Sequence, residues 1–401
     1  MKAGLLGRTL GHSLSPQIHR LFGDYAYRLY EKEPDEVEPF VRSGFAAGEF
    51  DFLNVTIPYK QTVFALCDEL TPMARKLGNV NFVTRMADGK LLGDNTDAFG
   101  IERLIDSVGA DVRGLDCAIL GAGGAAMTAR AVLEARGAAC VSFVRRGESP
   151  TPDVDLIVNA TPVGMFPHGD EVRVDISRFA ACRYVLDLVY NPSPTRLVRE
   201  ARACGKVAAD GLVMLIAQAY KAAELGRTRD GRRETSERTR DARRETVFLY
   251  GPPASGKSTL AKTVAAATGW QLVDLDAEIV KTAGRSIPEI FAEEGERGFR
   301  AIEKSCLQSV CEGTDPIVRE GTDPIIGRVV ALGGGALLDD ECWKMAEKCG
   351  RVVVLDCSLD ILRARVTGGD RPLSADTAKL ERLVAARAAH YASFSRHIQM
   401  I

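Results

Sequence analysis

At 401 residues the chain is long for one core, so two domains are the expectation. Its composition, 46% apolar and 26% charged, is that of a globular protein with enough apolar material to bury real cores. A net charge of −2 gives no global attraction to nucleic acid or to an anionic membrane, and no apolar run approaches the roughly 20 residues that span a bilayer. The opening "MKAGLLGRTLGHSLSP" reads as a first strand and a loop rather than as a signal peptide. Ten scattered cysteines with no C-x-x-C pair predict reduced thiols in a cytoplasmic compartment. The five histidines lack metal-ligand spacing, so a structural zinc is not expected.

In chain order, three polar constellations come first. "HSLSP" places Ser13 and Ser15 on a loop after the first strand. "NVTIPYK" places Asn54, Thr56 and Lys60 at a strand end, and "NVN" and "GDNTDAFG" add Asn81 and Asp97. Each alone is also compatible with satisfied loop polarity. Together they supply hydroxyl and amide partners for a polyhydroxylated ligand, with one lysine and one aspartate for proton transfer.

The strand "DCAIL" (116–120) then runs into "GAGGAAMTARAVLEARG", a G-x-G-x-x-A fingerprint at Gly121, Gly123 and Ala126. The first glycine allows a tight turn, the second lets a pyrophosphate reach the backbone, and the small third residue lets the helix pack on the strand. Unpaired N–H groups at the helix start face the phosphates. The next strand, "CVSFV" (140–144), ends in Arg145 and Arg146, where an NAD site usually has an acid. Arginine suits a 2′-phosphate, which favours NADP; the alternative is two solvated surface arginines. "GESPTPDV" leaves no room for a full helix and strand before "DLIVNAT" (155–161), so a trimmed cofactor lobe is expected.

The ordered set "HSLSP", "NVTIPYK", "NTDAFG", "GAGGAA", "NATPVGM" and "DGLVMLIAQA" resembles shikimate dehydrogenase from Met1 to about Leu225. That resemblance implies NADPH-dependent, reversible reduction of 3-dehydroshikimate to shikimate. It implies Lys60 and Asp97 as the catalytic pair. It implies Ser13, Ser15, Thr56, Asn81, Tyr190 and Gln218 against the substrate. Gly121, Ala122, Gly123, Gly124, Ala125, Arg145, Leu188 and Gly211 would line NADP(H). The family usually has Asn-Arg-Thr/Ser after the second strand; this chain has Val144-Arg145-Arg146.

"GRTRDGRRETSERTRDARRET" (226–246) follows, with eight arginines, five acids and an internal near-repeat. It has no apolar periodicity, so it cannot supply a core face and forms a boundary. A nucleic-acid arm would show salt-sensitive retention, but no aromatic side chain is present to stack on bases. As a tether of about 20 residues it would reach about 25 Å as a coil or about 30 Å as a helix.

Beyond it, the strand "TVFLYG" (246–251) meets "GPPASGKST", a G-x-x-x-x-G-K-S phosphate loop from Gly251 to Ser258. Its N–H groups cradle phosphates, Lys257 reaches the β/γ oxygens, and the Ser258 hydroxyl suits Mg²⁺. Asp274 and Asp276 end the next strand, "QLVDLDAEI", near enough to serve Mg²⁺ and an acceptor hydroxyl. Gly333 to Gly335 in "ALGGG" read as a close ligand approach or as a plain turn. "EGTDPIV" (312–318) returns as "EGTDPII" (320–326), a duplicated, turn-rich surface loop to which no function is assigned.

"GPPASGKST", "DLD", "GRSIPEIFAEEGERGFR", "ALGGG", "DRPL" and "ARAAHY" resemble shikimate kinase over roughly Thr246 to His397. The resemblance implies ATP as phosphoryl donor, held by Gly251, Ser255, Gly256, Ser258 and Thr259, with Mg²⁺ at Ser258 and Asp274. Asp276, Arg300, Gly334 and Arg387 would bind shikimate, Asp276 orienting its 3-hydroxyl. Lys257 and Arg371, the latter on a lid, would stabilise the transferring phosphoryl group. The family usually continues into a further helix with a basic residue near the adenine, whereas this sequence stops at Ile401; that implies either weaker holding of ATP or a sequence clipped from a longer chain.

The expected fold is α/β throughout, with alternating strands and helices predicting parallel sheets in both halves. Residues 1–100 form a substrate domain completed by a helix around 211–225, 101–225 a Rossmann-type NADP domain, 226–245 a charged linker, and 246–401 a P-loop kinase domain. A bifunctional cytoplasmic enzyme acting on small molecules is expected, with no nucleic acid or membrane partner. Both a monomer and a homodimer are compatible with it. The alternative is that one half alone is active and the other binds or regulates.

Overall fold

The computed structural model describes residues 1–11, 13–229, 245–312, 327–367 and 377–399. Most of the arginine-rich stretch, most of the EGTDPI duplication and the "DRPL" segment with Arg371 lie outside the described residues. The chain divides into two compact units, one containing the helix Leu212–Arg229 and the other the strand Glu245–Tyr250. Each is taken by itself below.

The first unit opens with a six-stranded sheet in the order β2-β1-β3-β5-β6-β4. The strands are β1 (Lys2–Gly7), β2 (Ala26–Glu31), β3 (Phe52–Val55), β4 (Glu69–Leu70), β5 (Phe82–Arg85) and β6 (Leu91–Asp94). β1 runs parallel to β2 and β3, but β5 is antiparallel to both β3 and β6. This first sheet is therefore mixed, and the parallel sheet expected in this half is the one that follows it. The reason is local: β5 and β6 are joined by Met86–Lys90, with Gly89 at φ 90°, a tight connection that only antiparallel neighbours can use.

Helix α2 (Val37–Ala47) buries Val37, Val41, Gly44 and Phe45, spaced one helical turn apart, and stops at Gly48 in the left-handed region. It covers Leu6, Leu53, Val55 and Val83 of the sheet. Short helices α1 (Ser15–His19), α3 (Lys60–Leu66) and α4 (Pro72–Leu77) fill the connections, and α5 (Asp97–Ser107) leads out. Ser15 thus opens a helix rather than lying on a loop, because Pro16 is pre-set for a first helical turn.

A second, wholly parallel sheet follows, in the order β11-β10-β9-β7-β8. It comprises β7 (Asp116–Leu120), β8 (Cys140–Val144), β9 (Leu156–Asn159), β10 (Tyr184–Asp187) and β11 (Val207–Ala209), with α6 (Gly124–Ala135) and α7 (Arg196–Ala203) between strands. Residues 145–155 form neither helix nor strand, in line with the short spacing there. The long helix α8 (Leu212–Arg229) then returns to the first sheet, where Ala222 packs with Ala3, Phe52 and Phe82.

The second unit is one parallel sheet in the order β13-β14-β12-β15-β16. Its strands are β12 (Glu245–Tyr250), β13 (Gln271–Asp274), β14 (Gly327–Ala331), β15 (Arg351–Asp356) and β16 (His397–Gln399). Helices α9 (Lys257–Thr268), α10 (Leu275–Ala283), α11 (Ile287–Glu312), α12 (Asp340–Cys349), α13 (Leu359–Thr367) and α14 (Thr377–Ala392) accompany it. β12 is central, flanked on both sides, and four of its residues are wholly buried, as a strand covered on two faces requires.

Candidate active sites

The mixed sheet gathers the first polar set. Thr56 follows the end of β3 and Asp97 follows β6, whereas Asn81 precedes β5. Because β5 runs backwards, its start lies at the same sheet edge as the ends of its neighbours. Lys60, the first residue of α3, places Nζ 2.5 Å from Asp97 Oδ2. The aspartate side chain is buried and the lysine about one-fifth exposed.

Asn81 organises the carboxylate. Its Nδ2 donates to Asp97 Oδ1 at 2.9 Å, to Thr96 Oγ1 at 3.0 Å and to Gln218 Oε1 at 3.2 Å. Its Oδ1 accepts from the Thr96 N–H at 2.7 Å. One oxygen of Asp97 is thereby fixed by Asn81 while the other faces Lys60. Gln218 comes from α8, so the returning helix completes this group. Behind it, Tyr27 donates to Asn54 at 3.0 Å, and Asn54 donates to the Asn81 carbonyl at 3.3 Å.

His19 stacks on Tyr27 with ring centroids 3.9 Å apart, and its Nδ1 meets the Tyr25 hydroxyl at 2.5 Å. Burial lowers its pKa to about 3, so it is a neutral spacer. This supporting layer is not legible in the sequence, since aromatic residues at 19, 25 and 27 carry no chemical motif. Ser13 and Ser15 lie together, the Ser15 N–H reaching Ser13 Oγ at 3.3 Å. Tyr190 stands on the loop after β10, half-buried, with its hydroxyl pKa raised by burial.

The dinucleotide fingerprint has the expected strand–turn–helix form. Gly121 has φ 109°, and a Cβ there would lie 3.2 Å from the Ala160 carbonyl. Gly123 and Gly124, at the start of α6, face open space, and Ala122 beside them is exposed while Ala125 is half-buried. Arg145 and Arg146 are exposed after β8. Their turn is closed by the Glu148 carboxylate, which accepts from the Arg145 N–H at 2.7 Å. Arg173 donates to the Arg145 carbonyl at 2.5 Å.

Leu188 and Gly211 touch: a Cβ at 211 would lie 2.3 Å from the Leu188 carbonyl oxygen. Their loop is anchored by Asp187, which accepts from Asn159 Nδ2 (2.8 Å), the Val189 N–H (3.1 Å) and Thr195 Oγ1 (2.7 Å). Burial raises the Asp187 pKa to about 6 despite these donors.

In the second unit, the phosphate loop follows β12. Gly251 (φ 133°) and Gly256 (φ 95°) take backbone conformations that favour glycine, and Ala254 (φ 62°) shares the left-handed region. The Lys257 ammonium donates to the Gly251 and Pro252 carbonyls at 2.9 and 2.7 Å, which holds it over the loop. Ser255 is wholly buried beneath, and Thr259 is exposed on α9. Ser258 Oγ lies 3.1 Å from Asp274 Oδ2, a pair of hard oxygen donors suited to a magnesium ion.

The triple glycine is more than a turn. A Cβ at Gly333 would lie 2.8 Å from Glu303 Oε1 and 3.4 Å from Asp276 Oδ1. At Gly334 it would lie 3.1 Å from Pro253, and at Gly335 2.7 Å from the Arg300 guanidinium. The Gly334 carbonyl accepts from Arg387 at 3.0 Å and from the Tyr391 hydroxyl at 2.7 Å. Asp276, Arg300, Gly334 and Arg387 are thus brought around one short loop.

Glu303 belongs to this group and was missed in the sequence. It is 3% exposed, one oxygen pairs with Arg300 at 2.5 Å, and Oε1 has no hydrogen-bond partner among the described residues. Desolvation pushes its pKa up, partly offset by Arg300. The available signal was its spacing, three residues after Arg300 on α11 and therefore on the same helix face. Arg371 lies outside the described residues.

Residues 5–83 match the family model described as the shikimate dehydrogenase substrate binding domain. A shikimate dehydrogenase (NADP⁺) from Methanopyrus kandleri is 36% identical over 258 residues, covering 55% of this chain and 88% of that protein. The chain belongs to the shikimate dehydrogenase family. A second relative of that name, from Clostridium beijerinckii, is 33% identical, with 55% and 90% covered. The crystal structure of a shikimate dehydrogenase from Peptoclostridium difficile matches with a TM-score of 0.52 at 31% identity, covering 59% of this chain and 94% of that one. Another, from Thermus thermophilus in complex with NADP(H) and shikimate, matches with a TM-score of 0.51 at 28% identity, covering 56% and 93%. Residues 253–400 match a second family model, that of shikimate kinase.

Proposed function

We propose that this chain catalyses two consecutive reactions of one pathway. The first unit reduces 3-dehydroshikimate reversibly to shikimate, and the second phosphorylates shikimate to shikimate 3-phosphate. The observation that carries this reading is that both reactive sets are assembled: Lys60 against Asp97 in one unit, and the phosphate loop with Asp276, Arg300 and Arg387 in the other. When bound, NADPH supplies hydride, ATP supplies the phosphoryl group, and Mg²⁺ screens the charge on its phosphates.

In the dehydrogenase unit, Lys60 Nζ holds the substrate oxygen and delivers the proton that developing oxyanion charge requires. Asp97 orients Lys60, and Asn81 fixes Asp97. Ser13, Ser15, Thr56, Asn81, Tyr190 and Gln218 bind the carboxylate and hydroxyls. Gly121 to Ala125, Leu188 and Gly211 take the nicotinamide dinucleotide, and Arg145 takes its 2′-phosphate.

In the kinase unit, Gly251, Ser255, Gly256, Ser258 and Thr259 hold the phosphates, with Ser258 and Asp274 as the magnesium site. Asp276 orients the attacking hydroxyl. Arg300, Gly334 and Arg387 hold the acceptor carboxylate, and Lys257 with Arg371 stabilises the phosphoryl group in transfer. We assign residues 1–100 with the helix around 211–225 to the substrate domain, 101–225 to the NADP domain, 226–245 to the linker and 246–401 to the kinase domain. Among the described residues no helix is long and apolar enough to cross a membrane. We place the enzyme in the cytoplasm, acting on small molecules.

The test is two separate assays on the purified full chain: NADP⁺ reduction with shikimate, and shikimate-dependent ADP release. Both activities are expected. Appearance of one alone would reduce the other unit to a binding or regulatory role.

A further inference from the structure

Two thiols meet in the kinase unit at the end of the sheet opposite its phosphate loop. Cys311 is the penultimate residue of α11 and Cys349 the last of α12. The Cys349 thiol faces the Cys311 carbonyl, with Sγ 3.9 Å from the oxygen, and the two side chains hydrogen-bond each other. Thr246, near the start of β12, adds a hydrogen bond to Cys349. Arg328, the second residue of β14, donates to the Val310 carbonyl at 2.7 Å, which keeps its cation beside both sulfurs. Both cysteines are half-buried against the unit's core.

These surroundings make the pair unequal. Hydrogen bonds from Cys311 and Thr246, with help from Arg328, outweigh burial and lower the Cys349 pKa. Cys311 is driven upward, because its proton is the one shared with the Cys349 sulfur, and burial and Glu312 act in the same direction. Two adjacent thiols, one of them helped to ionise by its neighbours, suit an attacking and a resolving cysteine. Elsewhere burial raises the thiol pKa values of Cys67, Cys117, Cys182, Cys342 and Cys357.

We propose that Cys311 and Cys349 are a redox modification site, closing to an intramolecular disulfide when the chain meets a low-molecular-weight disulfide. The Cys349 thiolate attacks one sulfur of the small disulfide; that S–S bond breaks and one small thiolate leaves, taking a proton from water. Cys311 then gives its proton to solvent and attacks Cys349 Sγ, expelling the second small thiol. Two cysteines lose two electrons in total and one small disulfide is reduced to two thiols. The bridge ties the end of α11, the helix that carries Arg300 and Glu303, to the end of α12.

The test uses the full chain, oxidised glutathione and peptide mass spectrometry without reduction. A cross-linked peptide joining positions 311 and 349, two hydrogens lighter than its parts and released by dithiothreitol, is expected. Cys311→Ser should trap glutathione on Cys349 as the mixed disulfide that the bridge otherwise resolves. The exposed Cys140 and Cys204 report that the oxidant has worked. If those two carry glutathione while Cys311 and Cys349 remain free thiols, or carry separate adducts, the proposal is wrong.

Discussion

Lys60 Nζ sits 2.5 Å from Asp97 Oδ2, joining the first residue of one helix to the first residue of another. Each helix start is fixed by the strand before it, so the pair is held by the sheet rather than by flexible loops. On the proposed mechanism, Lys60→Ala removes the proton donor and keeps the other binding groups. Dehydrogenase turnover should fall by about 10²–10⁴-fold. Shikimate affinity should stay within about tenfold, and kinase activity should not change. Steady-state rates of both reactions on one preparation check this, and near wild-type dehydrogenase turnover would remove Lys60 from the mechanism.

Glu303→Gln keeps the shape of the buried side chain and removes its charge. Arg300 then loses its closest anionic partner and is freer to leave the triple-glycine loop. The shikimate KM of the kinase should rise by about tenfold, equivalent to about 1.4 kcal/mol, while the ATP KM stays put. Initial rates with each substrate varied in turn separate the two. Equal rises in both constants would mean a general loss of structure.

Gly211→Ala tests the contact between the loops that approach the cofactor. Its new methyl would lie 2.3 Å from a backbone oxygen of Leu188, which cannot swing aside as a side chain tip can. A loss of about 1–3 kcal/mol in the dehydrogenase unit is expected. Urea unfolding followed in that unit, with NADP⁺ affinity measured alongside, should show both falling.

Asp187 gives a pH signature. Its folded pKa of about 6 stands above the ordinary 3.8, so folding favours its protonated form. The contribution is fully present below about pH 4 and is lost as pH rises through 6, a swing of about 3 kcal/mol. In Asp187→Asn this dependence disappears. Between pH 4 and 7 the stability of the variant should therefore gain on wild type by up to that amount. Parallel thermal melts across that range measure the difference, and parallel curves would count against it.

Much of this architecture can be read from one sequence, for identifiable reasons. The phosphate loop and the dinucleotide turn are contiguous, and their glycines are dictated by local backbone geometry, so pattern suffices. Lys60 and Asp97 are different: nothing in their spacing says that they touch, and only the resemblance of the surrounding motifs joined them. The mixed first sheet is less legible, because alternating strands and helices speak only for the parallel sheets, one of which each unit contains. The "ADGK" turn between β5 and β6 was a hairpin signal of the ordinary Asp-Gly kind. Glu303 was missed because its role depends on how α11 packs against Gly333, a tertiary fact. The Cys311–Cys349 meeting is equally invisible, since it depends on two helix ends converging.

The return of α8 to the first sheet has a consequence for how the chain is made. Phe52 packs against the backbone of Gly226, Asn81 hydrogen-bonds Gln218, and Phe22 accepts from Arg227. A ribosome must therefore deliver the whole second sheet before the first can be sealed. The nascent first sheet waits with its apolar face uncovered, exposed to chaperones and to aggregation. The kinase strands emerge only after that closure becomes possible, so vectorial synthesis separates the two folding events in time.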